Sequence, residues 1–259
     1  MAEEWEVTLR WPARLWLVRH GESAGNVARA VAYASGADRI ELEHRDADVP
    51  LSAAGREQAA ALGRWFARQT AAERPDVLLA SPYQRARETA QLFREAGGCD
   101  ADEPICFDER LREKEFGILD GLTTAGILKH EPQQAELRRM LGKFYHRPPG
   151  GESWADVILR LRSLMDTVAL HYAGRSVMIV AHQVVVLCLR YIIEGMSEEE
   201  VLAVDRFGSI GNCSLTEYRF DPAAGKDGGL VLVRFNAVEA IAAEDAPVTA
   251  EPRRRTSES

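Results

Sequence analysis

The chain has 259 residues, of which 46% are hydrophobic, and a formal net charge of −8. This size and apolar content fit one α/β domain of generous size, whereas the acidic balance argues against nucleic acid or an anionic membrane as a partner. The four cysteines lack the spacing of a disulfide framework, which favours a reducing, cytoplasmic setting. The first residues do not resemble a signal sequence, and no apolar window reaches the length of a membrane span.

The first predicted element is a buried strand that ends in a cation, an imidazole and a glycine. Residues 15–18 form an apolar run of strand length, and Arg19, His20 and Gly21 follow it directly. In an open α/β sheet, ligands bind outside the carboxyl ends of the strands. The pattern therefore predicts an anion pocket that contains a nucleophile, although the same residues also fit an ordinary polar exit from a strand.

The next strand, predicted over residues 77–79, leads into a second cationic turn. Between the two strands, alanines and a leucine at helical spacing predict a helix over 53–69. After the second strand, Ser81 is placed to cap a helix over 84–96, so Arg85 falls in the first turn of that helix. The helix dipole favours an anion there, and a bidentate guanidinium suits phosphate.

An acidic run follows a short strand predicted over residues 105–107. Glu109, Glu113 and Glu115 are each able to supply a carboxylic acid that protonates a leaving alkoxide, provided that its pKa is raised. A charge-rich run is also typical of a solvated face. Residue chemistry alone does not choose among the three glutamates.

The segment between Gly121 and Ser153 is rich in helix formers. Arg138, Arg139 and Lys143 lie on one helical stretch within it, where they would either bind a second acidic group or remain solvated. An amphipathic helix is predicted over 153–172.

A further buried strand, predicted over 176–181, ends in His182 and Gln183 and leads into a helix over 184–193. A lone histidine at such a junction is usually structural, but a second histidine at the end of another strand favours catalysis. The other four histidines are interpreted as surface or structural residues: His44, His130, His146 and His171. Strands over 213–218 and 230–235 are predicted to close the domain.

These segments, in this order, resemble the histidine phosphatase superfamily, also called phosphoglycerate mutase-like. The family pattern Ser-Pro-x-x-Arg-Ala-x-x-Thr falls on Arg85, and the pattern Leu-x-Glu-x-x-x-Gly-x-x-x-Gly falls on Glu113. The resemblance implies a single three-layer α/β/α domain with a mostly parallel sheet. We expect this domain to span residues 1–241, with a capping excursion over 121–153 and a mobile tail over 242–259.

The resemblance also implies a mechanism without cofactor or metal. His20 would attack the phosphorus, and Arg19, Arg85 and His182 would surround the phosphoryl group. Glu113 would protonate the leaving oxygen and then activate water. The implied partner is a small phosphate ester.

Five further residues are expected at the substrate. Asn26 matches a family asparagine that donates to the phosphoryl oxygens, and Ser23 lies beside it. Gln183 follows the second histidine, as in fructose-2,6-bisphosphatase. Arg139 and Lys143 fall where that enzyme has sugar-phosphate cations.

The match to that enzyme is incomplete, because Thr124 stands where it has a sugar-binding tyrosine and Leu187 lies near a missing arginine. We therefore favour a stand-alone phosphatase for sugar phosphates or other small esters. A cofactor-dependent phosphoglycerate mutase and a non-catalytic phospho-ligand binding protein remain alternatives. A metal site at the histidines is disfavoured because the flanking arginines would repel a divalent cation, and the sequence leaves a homo-oligomer open.

Overall fold

A six-stranded sheet forms the centre of the structure, a computed structural model that describes residues 10–100, 102 and 104–251. The strand order is β3-β2-β4-β1-β5-β6. The strands are β1 (Arg14–Arg19), β2 (Val77–Ala80), β3 (Ile105–Phe107), β4 (Ser176–Ala181), β5 (Leu215–Asp221) and β6 (Gly229–Ala237). The first four strands run parallel to one another. β5 runs antiparallel to its neighbour β1, and β6 runs antiparallel to β5.

Helices connect the strands and cover both faces of the sheet. They are α1 (Ala24–Ser35), α2 (Ala53–Ala67), α3 (Gln84–Glu95), α4 (Thr124–His130), α5 (Pro132–Tyr145), α6 (Trp154–His171), α7 (Gln183–Glu194), α8 (Glu198–Phe207) and α9 (Glu239–Ala242). Hydroxyl side chains cap several of them; Ser153, for example, accepts from the Asp156 amide and begins α6 in a capping box.

Alternate residues of the central strands enter two separate cores. Leu15 and Leu17 of β1 belong to the core that contains α6 and α7, whereas Trp16 and Val18 belong to the core that contains α2 and α3. Both faces of β1 are therefore apolar, which explains its continuous hydrophobic run. The sequence prediction of a three-layer α/β/α domain with a mostly parallel sheet is confirmed.

The predicted strands and the long helices agree with the structure, whereas several helices and one cap differ. Sequence analysis assigned no helix to α1, α8 or α9. The proposed capping role of Ser81 is wrong: α3 begins after Tyr83 and has no side-chain cap. The Ser81 hydroxyl lies instead 2.8 Å from Nε2 of His182.

The end of the chain also differs from the expected mobile tail. Residues 243–251 lie against the domain; Ala246 is buried, and the Asn212 amide donates to the Thr249 carbonyl over 2.9 Å. The segment has polar anchors that apolar periodicity does not detect, so composition alone suggested disorder. The remaining part of the predicted tail, residues 252–259, lies outside the described residues, as do residues 1–9 of the predicted domain.

Among the residues that the structure describes, none of the helices combines the length and apolar content that are needed to cross a bilayer. The four cysteines are free thiols. The cytoplasmic location stays a prediction.

The loop after β1 is held by a backbone-to-backbone contact with α2. The Ser52 amide donates to the Glu22 carbonyl over 2.9 Å, and Gly55 lies directly against the Glu22 backbone. A Cβ atom on Gly55 would overlap the Glu22 carbonyl, and one on Gly21 would overlap the Gly55 carbonyl. Only glycine allows this approach at both positions.

We expect Gly55→Ala to lower the free energy of unfolding by about 2–3 kcal/mol, because the added methyl group must push the loop away from α2. Chemical denaturation monitored by circular dichroism measures this. Gly208→Ala is the control, since a Cβ there would meet no atom within 4 Å. Equal stability of the two variants would contradict the packing argument.

Candidate active site

The carboxyl ends of four adjacent parallel strands meet at one cavity of about 490 Å³. His20 follows β1, His182 follows β4, Arg85 lies just beyond β2, and Glu113 lies beyond β3. His20, Arg85 and Glu113 line the cavity together with Arg19. Sequence analysis named these five residues as catalytic, and the fold brings them to a single edge of the sheet.

His20 has the tautomer that a nucleophile needs. Its Nδ1 lies 2.7 Å from the Gly21 carbonyl oxygen, and because a carbonyl only accepts, Nδ1 carries the proton. The lone pair is then on Nε2. Burial, together with the positive charges of Arg85 and Arg19, holds the pKa of His20 well below the usual 6.5. The imidazole is therefore neutral at neutral pH.

His182 lies behind His20 rather than on the cavity wall. The two ring centroids are 5.2 Å apart, and His182 is fully buried. Burial and the charge of Arg85 hold the pKa of His182 well below 6.5 as well. Its Nδ1 has no hydrogen-bond partner among the described residues. The Ser81 hydroxyl at Nε2 fixes the orientation of the ring.

Both arginines are almost completely buried, and each contacts a carboxylate of this chain. Arg19 is 1% exposed; its Nη1 donates to the Ile210 carbonyl over 2.6 Å, and its Nη2 donates to Glu251 over 2.7 Å. Arg85 is 5% exposed, and its Nη2 donates to the Asp46 carboxylate over 3.1 Å. The two guanidinium groups thus form an anion site.

Glu113 has the environment of a general acid. Burial raises the pKa of its carboxyl, although the Lys114 amide, which donates to it over 2.8 Å, and the charge of Arg85 oppose this effect. The two rival glutamates differ. Glu115 accepts from the Tyr83 hydroxyl over 2.6 Å, and Glu109 is exposed in a short 3₁₀ turn. Among the three, the structure describes only Glu113 as a residue of the cavity wall.

Four of the five expected substrate residues line the same cavity: Ser23, Asn26, Lys143 and Gln183. Ser23 caps α1, and Asn26 completes the capping box with its side-chain oxygen. The Asn26 amide nitrogen is thereby directed outward and donates to Glu251 over 3.0 Å. The cap of α1 therefore orients an anion donor beside Arg19.

The expectation for Arg139 is wrong, because its side chain is 73% exposed, pairs with Glu136 and is absent from the cavity wall. The preceding residue, Arg138, lines the cavity instead. Lys143 is on the wall as expected; it follows Gly142, whose φ of 77° interrupts α5, and it pairs with Asp205. The rotation of α5 about its axis decides whether Arg138 or Arg139 faces the cavity, and this rotation is set by packing against the rest of the protein.

Two further residues of the cavity wall, His146 and Lys114, were not predicted to lie at the site. His146, interpreted as surface or structural, is buried in the cavity wall. Lys114 is 8% exposed there, and its Nζ lies 4.6 Å from the Phe116 ring centroid. Burial lowers the pKa of Lys114 to about 8.

Three polar residues that sequence analysis did not single out hold the loop after β1. The Thr89 hydroxyl accepts from the Gly21 amide over 3.0 Å, Gln58 accepts from the Glu22 amide over 2.8 Å, and Asn212 donates to the His20 carbonyl over 3.1 Å. Thr89 ends the same motif as Arg85 and could have been found from it. Gln58 and Asn212 carry no local signal.

The fold and this cavity define an α/β protein with an anion site of two arginines beside two neutral histidines. A comparison with protein families agrees: the model described as histidine phosphatase superfamily (branch 1) matches residues 15–236. The chain belongs to this superfamily.

Individual relatives include both mutases and phosphatases. The chain is 29% identical over 205 residues to the probable phosphoglycerate mutase GpmB of Serratia proteamaculans (strain 568), with 78% of this chain and 83% of that protein covered. It is 27% identical to the mycobacterial glucosyl-3-phosphoglycerate phosphatase in complex with VO3, with a TM-score of 0.64 and coverage of 87% and 99%. Bacillus stearothermophilus YhfR is 26% identical, with a TM-score of 0.67 and coverage of 88% and 98%. A specific likeness to fructose-2,6-bisphosphatase stays a prediction.

We expect Arg85→Met to raise the pKa of His20, because the variant removes a positive charge that disfavours the imidazolium. An NMR titration of the ring nitrogens measures this directly and requires no turnover. Arg87→Met is the control, since Arg87 lies on the same helix but is exposed. An unchanged His20 titration in Arg85→Met would show that the two groups are not coupled.

Proposed function

We propose that the protein is a metal-independent phosphomonoesterase that acts on sugar phosphates or other small phosphate esters through a phosphohistidine at His20. The observation that carries the proposal is the state of His20: a neutral imidazole, with Nδ1 tied to the Gly21 carbonyl, lines the cavity between two buried guanidinium groups. A nucleophile and its charge stabilisers thus share one site.

In the first step, Nε2 of His20 forms a bond to phosphorus while the bond to the ester oxygen breaks. Negative charge on the equatorial oxygens is stabilised by Arg19 and Arg85, with the Asn26 amide as a further donor. Glu113 donates its proton to the leaving oxygen, and the alcohol departs. The raised pKa of Glu113 keeps a protonated fraction available closer to neutral pH.

In the second step, a water molecule attacks the phosphorus of the phosphohistidine. Glu113, now a carboxylate, takes a proton from this water, and the phosphorus–nitrogen bond breaks. Inorganic phosphate leaves, and neutral His20 and protonated Glu113 are restored. The cations already present at the phosphoryl group supply the charge stabilisation, so the mechanism requires no metal ion.

Three further cations of the cavity wall favour a leaving group that carries a second negative charge. They are Lys114, Arg138 and Lys143, and Trp154 adds an apolar surface. Lys114 makes no ion pair with the residues that the structure describes, and burial lowers its pKa to about 8. A carboxylate or phosphate on the substrate would stabilise this buried ammonium.

A phosphoglycerate mutase is the second candidate, because the Serratia relative is named as one. A mutase would use the same residues but retain the phosphoryl group on His20 and return it to the substrate. Access of water to the phosphohistidine distinguishes the two reactions.

We expect the wild-type protein to release inorganic phosphate in the presence of EDTA, and His20→Ala to lose at least about 10³-fold of this activity, because the variant lacks the nucleophile. The substrate panel pairs 3-phosphoglycerate with glycerol 3-phosphate, which lacks the carboxylate, and fructose 1,6-bisphosphate with fructose 6-phosphate. In each pair, the substrate that carries the second anionic group should have the lower KM.

Four results would contradict parts of the proposal. Conversion of 3-phosphoglycerate to 2-phosphoglycerate without release of phosphate would identify a mutase. Release that stops in EDTA would contradict the metal-free mechanism. Equal KM values within both pairs would contradict the second charged group, and no turnover of any substrate would favour a non-catalytic binding protein.

We expect Glu113→Gln to reduce kcat/KM, which reports the first step only, about 10²–10⁴-fold for glycerol 3-phosphate but much less for p-nitrophenyl phosphate, because only the alkoxide needs a proton. In the wild type, activity toward glycerol 3-phosphate should decline as pH rises through the raised pKa of Glu113, and this limb should be absent from the variant. Glu109→Gln is the matched control. Equal losses for both substrates would exclude Glu113 as the proton donor.

A further inference from the structure

Glu251, in the carboxyl-terminal segment over residues 243–251, lines the cavity beside Arg19. Oε1 of Glu251 lies 2.7 Å from Nη2 of Arg19 and 3.0 Å from the Asn26 amide nitrogen. Its other oxygen lies 4.0 Å from Arg29. The Glu251 carboxylate therefore contacts the same donors that the proposed function assigns to a phosphoryl group.

Specific contacts fix the approach of this segment. Nε2 of Gln58 donates to the Pro247 carbonyl and to the Thr249 hydroxyl, each over 2.8 Å. The Asn212 amide donates to the Thr249 carbonyl, and the Thr249 hydroxyl lies 3.1 Å from Oδ1 of Asn212. Gln58 and Asn212 are the residues that hold the loop after β1. The segment is thus anchored to the framework of the site itself.

The other buried arginine has an equivalent partner. Asp46, from the loop between α1 and α2, contacts Arg85 through its carboxylate and through its backbone carbonyl, the latter at 2.5 Å from Nη1. Each of the two guanidinium groups therefore contacts a carboxylate from a surface segment. The side chains of Asp46 and Glu251 are 38% and 21% exposed, so solvent reaches both.

The two carboxylates differ from a phosphate group in charge and in geometry. Each carries one negative charge, whereas a phosphate monoester carries nearly two and presents three oxygens. A guanidinium fork binds either anion, but a phosphate can engage Arg19, Arg85 and Asn26 together. A substrate phosphate can therefore displace the carboxylates, at the cost of breaking their contacts.

We propose that Glu251 is an internal competing ligand of the phosphate site, so that the carboxyl-terminal segment is autoinhibitory and must withdraw before phosphate binds. This inference rests on the proposed function only in assigning Arg19 and Asn26 to the phosphoryl group. When the competent form is a fraction of the population, the apparent dissociation constant rises by the reciprocal of that fraction. Neutralising Glu251 should therefore tighten the binding of any tetrahedral oxyanion.

The test is calorimetric titration of the full chain with inorganic phosphate, and separately with orthovanadate. We expect Glu251→Gln to lower the dissociation constant for both anions about three- to tenfold, the size expected for a partly exposed charged hydrogen bond. Thr249→Val should act in the same direction, because it weakens the anchor by removing the contacts of the Thr249 hydroxyl with Gln58 and Asn212 and changes no residue of the cavity wall. Glu95→Gln, at an exposed glutamate near the end of α3, is the charge-matched control and should bind as the wild type does.

Unchanged anion binding in both Glu251→Gln and Thr249→Val would show that the segment does not compete in solution. Weaker binding in Glu251→Gln would mean that the carboxylate positions Arg19 instead, and this too would overturn the proposal. Binding requires no turnover, so these outcomes are separate from a failure of the proposed activity. A protein without phosphatase activity would still show the Glu251 effect.

Discussion

The buried positive charge at the carboxyl edge of the sheet is the constraint on which the rest of the site depends. Arg19 and Arg85 are almost completely buried, and an unpaired charge in such a position costs about 3–5 kcal/mol. The structure meets this requirement with carboxylates from two peripheral segments, through Asp46 and Glu251. A phosphate group is chemically able to satisfy the same requirement, which is the basis of the competition that we propose.

The positive charge of the two arginines also affects the pKa values of His20, His182 and Glu113. The guanidinium groups and burial act together on His20 and His182, and both imidazoles remain neutral. On Glu113 the two effects oppose each other, and burial prevails, so its pKa rises. One electrostatic environment thus keeps the imidazole of His20 neutral and raises the pKa of the Glu113 carboxyl in the same cavity.

Backbone contacts give the site its rigidity. Gly21 and Gly55 allow the loop after β1 to touch α2 without intervening side chains, and Thr89, Gln58 and Asn212 satisfy the amides and carbonyl of that loop. His20 is consequently held by groups from several distant segments rather than by its own strand alone. Gln58 and Asn212 also bind residues 247–249, so the support of His20 and the anchor of Glu251 are shared.

The amino-acid sequence by itself determined the layered fold and the core of the site. Apolar runs end in polar residues at β1 and β4, and the carboxyl ends of parallel strands lie at the same edge of a sheet. His20 and His182 could therefore be placed at one edge from local pattern alone. Arg85 and Glu113 required the spacing of family motifs, because their neighbours Arg87, Glu109 and Glu115 have the same chemistry.

Only the tertiary structure decided which groups face the cavity from its periphery. Arg138 rather than Arg139 lines it, because packing sets the rotation of α5. The pairing of Arg19 with Glu251 joins residues 232 positions apart. Such a contact depends on hydrogen bonds from Gln58 and Asn212, and these leave no periodicity in the segment that they hold. Local patterns report which face of an element is apolar, whereas polar contacts between distant segments exist only once the chain has folded.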